Sequence, residues 1–257
     1  MKKKMIDTHA HLNTEEFDHD LDACIKRATE HQLEHIIVIG MDEKSNHKAI
    51  EIAEKYEMVY ASVGVHPGYV DQANTDHIKA LLNHPKVCAI GECGLDFYWT
   101  KENIEQQKSM FIKQIELAIE TKYPLIIHTR NSFNEAYDMV KPYKGKIKGV
   151  FHCFSSSIED AKKAIELGFY IGIDGPITYK KALDTIELVR EIDLKHLLIE
   201  TDSPYLSPVP FRGKRNEPSY VRFVAEKIAE IKNISRQEVI DQTTSNAKKL
   251  FNLGGIL

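Results

Sequence analysis

Two histidines two residues apart, His9 and His11, close the opening run Met5-Ile6-Asp7-Thr8-His9-Ala10-His11. On a β-strand, residues i and i+2 project from one face, so both imidazoles point the same way, with Asp7 in line behind them. Imidazoles side by side at the end of a buried strand are costly unless something holds them. A divalent cation does so, because imidazole is a good ligand for zinc and similar ions. Two ligands do not complete a site, so partners must come from elsewhere in the chain.

The candidates fall at the ends of apolar runs. Val87-Cys88-Ala89-Ile90-Gly91-Glu92 ends in a carboxylate, as does His196-Leu197-Leu198-Ile199-Glu200-Thr201-Asp202. Pro124-Leu125-Ile126-Ile127-His128 and Gly149-Val150-Phe151-His152 each end in an imidazole. Such short apolar runs suit strands buried on both faces of a parallel sheet. A single histidine at a strand end is ordinarily a hydrogen-bonded core or rim residue. A lone carboxylate there can cap a helix or pair with arginine. Four imidazoles and two carboxylates, all at strand ends, point instead to one shared site. His19, His31, His35, His47, His77, His84 and His196 lack this placement and read as surface or helix residues.

The elements that position these residues alternate along the chain. After the opening strand, apolar runs at 35–40, 58–64, 87–92, 124–128, 149–152, 169–173 and 196–202 read as strands. Amphipathic segments separate them, including 15–32, 102–121, 132–140, 157–167 and 179–191. Thr75 is placed to cap the helix carrying Ile78, Leu81 and Leu82. Two further helices, 217–232 and 235–250, finish the chain. Eight strand–helix units in 257 residues predict an α/β (β/α)8 TIM barrel, one domain over 1–257 with an extra C-terminal helix, and the candidate metal ligands on it make the metal-dependent hydrolase type the expected variety. An open doubly wound sheet fits less well, because no glycine-rich phosphate fingerprint follows an early strand. In a barrel the six candidate ligands meet on the face that carries active sites.

Hydrophobic content of 42% and charged content of 28% fit an ordinary soluble protein. No apolar run approaches the roughly 18–20 residues that span a bilayer. The basic start Met1-Lys2-Lys3-Lys4 lacks the apolar stretch of a leader peptide, so a cytoplasmic location is expected. Cys24, Cys88, Cys93 and Cys153 form no C-x-x-C pair and read as reduced packing residues. The net charge of −4 gives no global pull on nucleic acid. A bound cation can outweigh that average locally.

Six ligands exceed the three protein ligands of one catalytic zinc. They suit two ions about 3.5–4 Å apart sharing a carboxylate, and Glu92, in the middle of the strand order, is the natural bridge. With Glu92 and Asp202 ionised, two dications leave a local charge of about +2, suited to a phosphodiester.

These residues resemble the TatD family of metal-dependent deoxyribonucleases, within the amidohydrolase superfamily. The resemblance lies in Ile6-Asp7-Thr8-His9-Ala10-His11-Leu12, Gly91-Glu92-Cys93-Gly94-Leu95-Asp96-Phe97 and Pro124-Leu125-Ile126-Ile127-His128-Thr129-Arg130. It continues through Leu198-Ile199-Glu200-Thr201-Asp202-Ser203-Pro204-Tyr205, Arg212-Gly213-Lys214-Arg215-Asn216-Glu217-Pro218 and Asn246-Ala247-Lys248-Lys249-Leu250-Phe251. The resemblance implies one ion held by His9, His11, Glu92 and Asp202, and a second held by Glu92, His128 and His152. It also implies nuclease chemistry with Mg or Mn, whereas the nitrogen-rich ligand set suits Zn or Mn better than Mg. One departure is Asp174 in Ile173-Asp174-Gly175-Pro176, where a smaller residue is expected.

The expected reaction is hydrolysis of DNA, single-stranded or at its ends, with no membrane and no obligate protein partner. Glu92 and Asp202 are the catalytic carboxylates, and Asp202 is the candidate to orient a water and take its proton. His66, Arg130, Arg212 and Arg215 are candidate substrate contacts, with Lys214 beside them. Phe97, Tyr98 and Trp99 could stack on bases. Glu200 and Asp7 read as orienters of the imidazoles. The same site could instead hydrolyse another ester or amide, such as an aminoacyl-tRNA ester or a small phosphoester. A metal-storage protein without turnover fits less well, because the ligand set is mixed and an arginine adjoins it.

Overall fold

β-Branched and aliphatic residues dominate eight strands that pair in parallel, each with the next in sequence order. The computed structural model describes residues 4–72, 74–99 and 102–254. Met1, Lys2 and Lys3, the start of the basic stretch read above as no leader, lie outside the described residues. The strands are β1 (Met5–Ala10), β2 (Leu33–Ile39), β3 (Val59–Val63), β4 (Val87–Asp96), β5 (Leu125–Arg130), β6 (Gly149–Phe151), β7 (Phe169–Ile173) and β8 (Leu197–Ile199). The helices are α1 (Leu21–Glu30), α2 (Glu43–Lys55), α3 (Asp76–Leu81), α4 (Ile104–Thr121), α5 (Phe133–Val140), α6 (Ile158–Glu166), α7 (Leu183–Glu191), α8 (Val221–Lys232) and α9 (Arg236–Phe251). This is the expected (β/α)8 barrel.

The chain just past β8 closes the ring on β1. The Asp202 N–H donates to His9 O at 2.9 Å, and the His11 N–H donates to Ser203 O at 2.7 Å. Closure is therefore made by the same stretches that carry the candidate ligands.

Two apolar layers hold the barrel. Helix faces pack outside the sheet, around residues such as Phe111, Ile115, Phe151 and Phe169. The interior is filled by Ile6, Ile37, Ile39, Ala89, Ile126, Val150 and Leu198. Ala247, Leu250 and Phe251 of α9 join that inner cluster. The extra helix is thus the plug of the barrel floor. Its start carries a reciprocal cap between Ser235 and Glu238. The Thr244 hydroxyl donates to Lys4 O, and the Asn246 amide donates to Leu194 O and Leu197 O, at the starts of β1 and β8.

Several local expectations change. The segment 15–32 is a 3-10 turn at Glu15–Phe17 followed by α1, not one helix. The break falls where the Asp20 carboxylate is drawn to the guanidinium groups of Arg215 and Arg27. Thr75 makes no capping bond; Asn74 Oδ1 accepts the Asp76 N–H instead. Strand β4 runs on to Asp96, and β8 stops at Ile199. The segment 179–191 becomes helical only at Leu183. Among the described residues, no helix is long and apolar enough to cross a membrane.

Two outcomes follow. Phe251 is 3% exposed, and Phe251→Ala should destabilise the protein by about 3–5 kcal/mol in urea unfolding, because it empties the barrel floor. The second concerns Asp20, whose carboxyl Arg215 and then Arg27 hold at about 2, below its ordinary 3.8, although burial opposes them. A depressed carboxyl contributes stability above its unfolded value and loses it as pH falls through the folded one. Asp20→Asn should therefore lower the melting temperature at neutral pH and flatten its decline between about pH 4 and 2.

Candidate metal centre

The local fold aims each candidate ligand inward. In β1 the pairing with β2 is interrupted between Asp7 and Ala10. There the Asp7 carboxylate accepts the His9 N–H at 3.2 Å, the Thr201 N–H at 2.9 Å and the Thr201 hydroxyl at 2.6 Å. Asp7 thus ties the backbone of β1 to the chain after β8 and does not touch an imidazole, contrary to expectation. Burial pushes its carboxyl well above the ordinary range, against those hydrogen bonds. In β4 the register shifts between Ile90 and Cys93. Gly91 sits there at φ +146°, and a Cβ would come within 2.6 Å of Ile126 O. Only glycine suits that position, and the irregularity lies directly before Glu92.

Glu92 divides its two oxygens between two groups of nitrogens. Oε2 lies 3.5 Å from His9 Nε2 and 3.7 Å from His11 Nε2. Oε1 lies 2.9 Å from His128 Nδ1 and 2.8 Å from His152 Nε2. Asp202 Oδ1 completes the first group, 3.5 Å from His9 Nε2 and 3.2 Å from His11 Nε2. The two Nε2 atoms are themselves 3.2 Å apart. A tetrahedral ion with nitrogen ligands at about 2.0–2.1 Å separates its ligand atoms by about 3.3–3.4 Å. The first group has that spacing, so these residues fit a cation. In the second group, His128 Nδ1 and His152 Nε2 are 3.3 Å apart. The His9 and His152 rings stack at 3.9 Å and join the two groups.

Charge in the cluster is tightly linked. Burial alone would raise the Glu92 carboxyl, but His152, His66 and His128 hold it well below the usual range. Burial alone would lower His128 and His152. Hydrogen bonds to Asp96 and Glu92 raise His128, and Glu92 with Glu200 raises His152 well above its ordinary value. Burial pushes His9 down, and His152 adds to the effect. His128 and His152 thus favour their protonated forms, and a dication would have to displace those protons.

Carboxylates stand behind two of the candidate ligands. Asp96 Oδ2 lies 3.1 Å from His128 Nε2, which leaves Nδ1 facing Glu92. Glu200 Oε1 lies 3.6 Å from His152 Nδ1 and accepts the Cys153 N–H at 2.5 Å. Glu200 fits only because residue 172 is glycine; a Cβ there would sit 2.6 Å from both carboxylate oxygens. The role of Asp96 was missed in the sequence. Its signal was present, since residues i and i+4 of a strand share a face and β4 continues past Glu92.

The expected substrate contacts scatter more. His66 joins the cluster, with Nε2 3.7 Å from Glu92 Oε1 and Nδ1 accepting the Gly68 N–H. Burial lowers it to about 3, so it is neutral at physiological pH. Arg130 lines the pocket and stacks on Tyr98 and Trp99. Arg212 is exposed and lies 4.5 Å over the Tyr179 ring. Arg215 is a correction: its guanidinium is bound to Asp20 at 2.6 and 2.7 Å and covers Phe17, so it braces the loop after β8 against the start of α1. Asp174 stands buried in the pocket wall, raised to about 8 by burial and then by Glu200 and Asp202. The pocket above the cluster has a volume of about 480 Å³.

A parallel eight-stranded barrel with imidazoles and carboxylates converging beyond its strand ends defines a metal-dependent hydrolase. Residues 6–252 match the family described as TatD related DNase, and the chain belongs to that family. It is 45% identical over 253 residues to YabD of Bacillus subtilis, an uncharacterized metal-dependent hydrolase, covering 97% of this chain and 99% of YabD. The crystal structure of YjjV, a TatD homologue from Escherichia coli K12, superposes with a TM-score of 0.93 at 29% identity, over 98% of this chain and 100% of that one. A TatD family hydrolase from Entamoeba histolytica superposes at 0.86 with 28% identity, over 98% and 99% of the two chains.

Because cation binding must displace protons from His128 and His152, the apparent affinity for Zn or Mn should rise with pH through and above the ordinary histidine range. Titration calorimetry at several pH values checks this. Chelation should lower the melting temperature and re-addition should restore it, by about 2.7 kcal/mol of stability at a hundredfold excess over Kd.

Proposed function

We propose that this protein is a deoxyribonuclease that hydrolyses phosphodiester bonds with two divalent ions, Mg, Mn or Zn. His9, His11, Glu92 and Asp202 would hold one ion, and Glu92, His128 and His152 the other. The observation that carries this reading is the division of Glu92, one oxygen toward each group of nitrogens. When bound, such ions supply Lewis-acid polarisation of the phosphoryl group and make a water acidic enough to attack it.

The chain's own residues supply the rest. Asp202 is 15% exposed where Glu92 is 3%, so of the two it is the more open to the pocket that both line. Its Oδ1, beside His9 and His11, would be committed to the ion, and its other oxygen would accept the proton of the attacking water. Arg130 presents a guanidinium fork to the phosphate from the pocket wall. His66 lies beside it as a neutral hydrogen-bonding group. Asp96 and Glu200 keep His128 and His152 turned toward Glu92.

A second reading rests on Asp174. A buried carboxyl in the wall of a phosphate pocket opposes an anion when ionised, and a substrate carrying an amine or hydroxyl would find a partner there. An ester or amide, such as an aminoacyl-tRNA ester, is the corresponding alternative.

A substrate panel run separately with Mg, Mn and Zn distinguishes the readings. Single-stranded DNA should be cleaved, and Glu92→Gln and Asp202→Asn should each lose about 10²- to 10⁴-fold in kcat. Inert DNA with a hydrolysed aminoacyl ester would support the alternative.

A further inference from the structure

The described surface exposes few large apolar side chains, and more than half of them gather at one place, while Leu183 and Val209 lie elsewhere. Tyr69, Trp99, Tyr205 and Leu206 are among them, and all four line the pocket over the candidate metal centre. Trp99 is 70% exposed and Tyr98 51%. Apolar side chains left in water singly need no explanation, but a cluster at the mouth of one pocket marks a binding surface.

The geometry on one wall is specific. Tyr98 and Trp99 meet edge to face at 4.8 Å. The Arg130 guanidinium lies over both rings, 4.5 Å from Tyr98 and 5.4 Å from Trp99. No carboxylate pairs Arg130 among the described residues, so its donors are available to an anion in the pocket. Phe97, by contrast, packs against the core and is not part of this surface.

The wall is also locked to the metal centre. Asp96 Oδ1 accepts the backbone N–H groups of Tyr98 and Trp99, both at 2.9 Å. Its other oxygen lies 3.1 Å from His128 Nε2. One carboxylate thus fixes a cation ligand and an aromatic surface relative to each other. On the opposite side, the Tyr205 N–H donates to Asp202 O at 2.9 Å, and the Tyr205 ring lies 6.0 Å from that of His11.

Resting on the phosphodiesterase reading above, we propose that Trp99, Tyr98 and Arg130 form a stacking platform for an unpaired nucleobase adjoining the scissile phosphate. Asp96 is the positioning residue that keeps the platform in register with His128. Aromatic faces accept any base, so the platform selects for unstacked, single-stranded DNA and not for a sequence. Arg130 serves both partners, its plane on the rings and its edge toward phosphate. Bases held in a duplex do not offer a free face to it.

The chain contains a single tryptophan, so its intrinsic emission reports on Trp99 alone. The metal-loaded protein is titrated with a phosphorothioate thymidine hexamer and with an abasic hexamer of the same backbone. The thymidine hexamer should quench Trp99 saturably, and the abasic one should not. By fluorescence anisotropy, Trp99→Ala should weaken binding of a labelled hexamer by about 5- to 150-fold, and Trp99→Phe should retain most of the affinity. Asp96→Asn should reduce the quench at saturation, a readout that lost fold stability alone would not mimic in a variant with unchanged melting temperature. Equal quenching by both hexamers, or unchanged affinity in Trp99→Ala, would overturn the platform. Cleavage of DNA in that case leaves the nuclease reading intact. Quenching by the thymidine hexamer with no cleavage of any DNA would keep the platform and remove the nuclease reading.

Discussion

A buried carboxylate surrounded by imidazoles is the constraint on which the rest of the site depends. Glu92 is 3% exposed, and burying its charge costs several kcal/mol unless partners compensate. Its two oxygens face two different sets of nitrogens, so the compensation comes from both sides at once. That arrangement requires the strand to bring Glu92 to the barrel axis. The register shift in β4 and the glycine at position 91 accompany it directly. A larger residue at 91 would collide with β5, whose His128 must stand next to Glu92.

The other elements transmit this constraint outward. Asp7 couples the end of β1 to Thr201, and closure of the barrel therefore also sets the positions of His9 and Asp202. Glu200 occupies space that only Gly172 leaves free, and from there it reaches His152 and the Cys153 backbone. Asp96 joins His128 to the exposed loop carrying Trp99. Each of these carboxylates holds two parts of the chain together. The floor of the barrel, plugged by α9, contributes apolar packing.

Much of this was legible in the sequence. The alternation of apolar runs and amphipathic segments gave the barrel because parallel strands buried on both faces leave that pattern. The six candidate ligands stood out because strand ends converge in a barrel, so residues distant in sequence could be gathered by placement alone. What escaped was whatever depends on irregular backbone or on competition for partners. Asp7 looked like an imidazole partner, but the pairing break in β1 turns it onto backbone N–H groups. Arg215 looked free for phosphate, but Asp20 lies within reach once α1 folds, and no spacing rule reveals that pair. Asp96 was hidden by ending the strand too early at Glu92. Asp tolerates the left-handed φ of +55° found at Asp202 better than most residues do, but that the chain turns there, where it leaves β8 and closes onto β1, is set by the barrel.

The central claim is that Glu92 bridges two cations, and its most direct test is anomalous diffraction from crystals of the protein loaded with Mn. The account predicts two anomalous peaks about 3.5–4 Å apart, one beside His9 and His11 and the other beside His128 and His152, with a Glu92 oxygen toward each. A single peak held by His9 and His11 alone, or peaks without Glu92 between them, would contradict it.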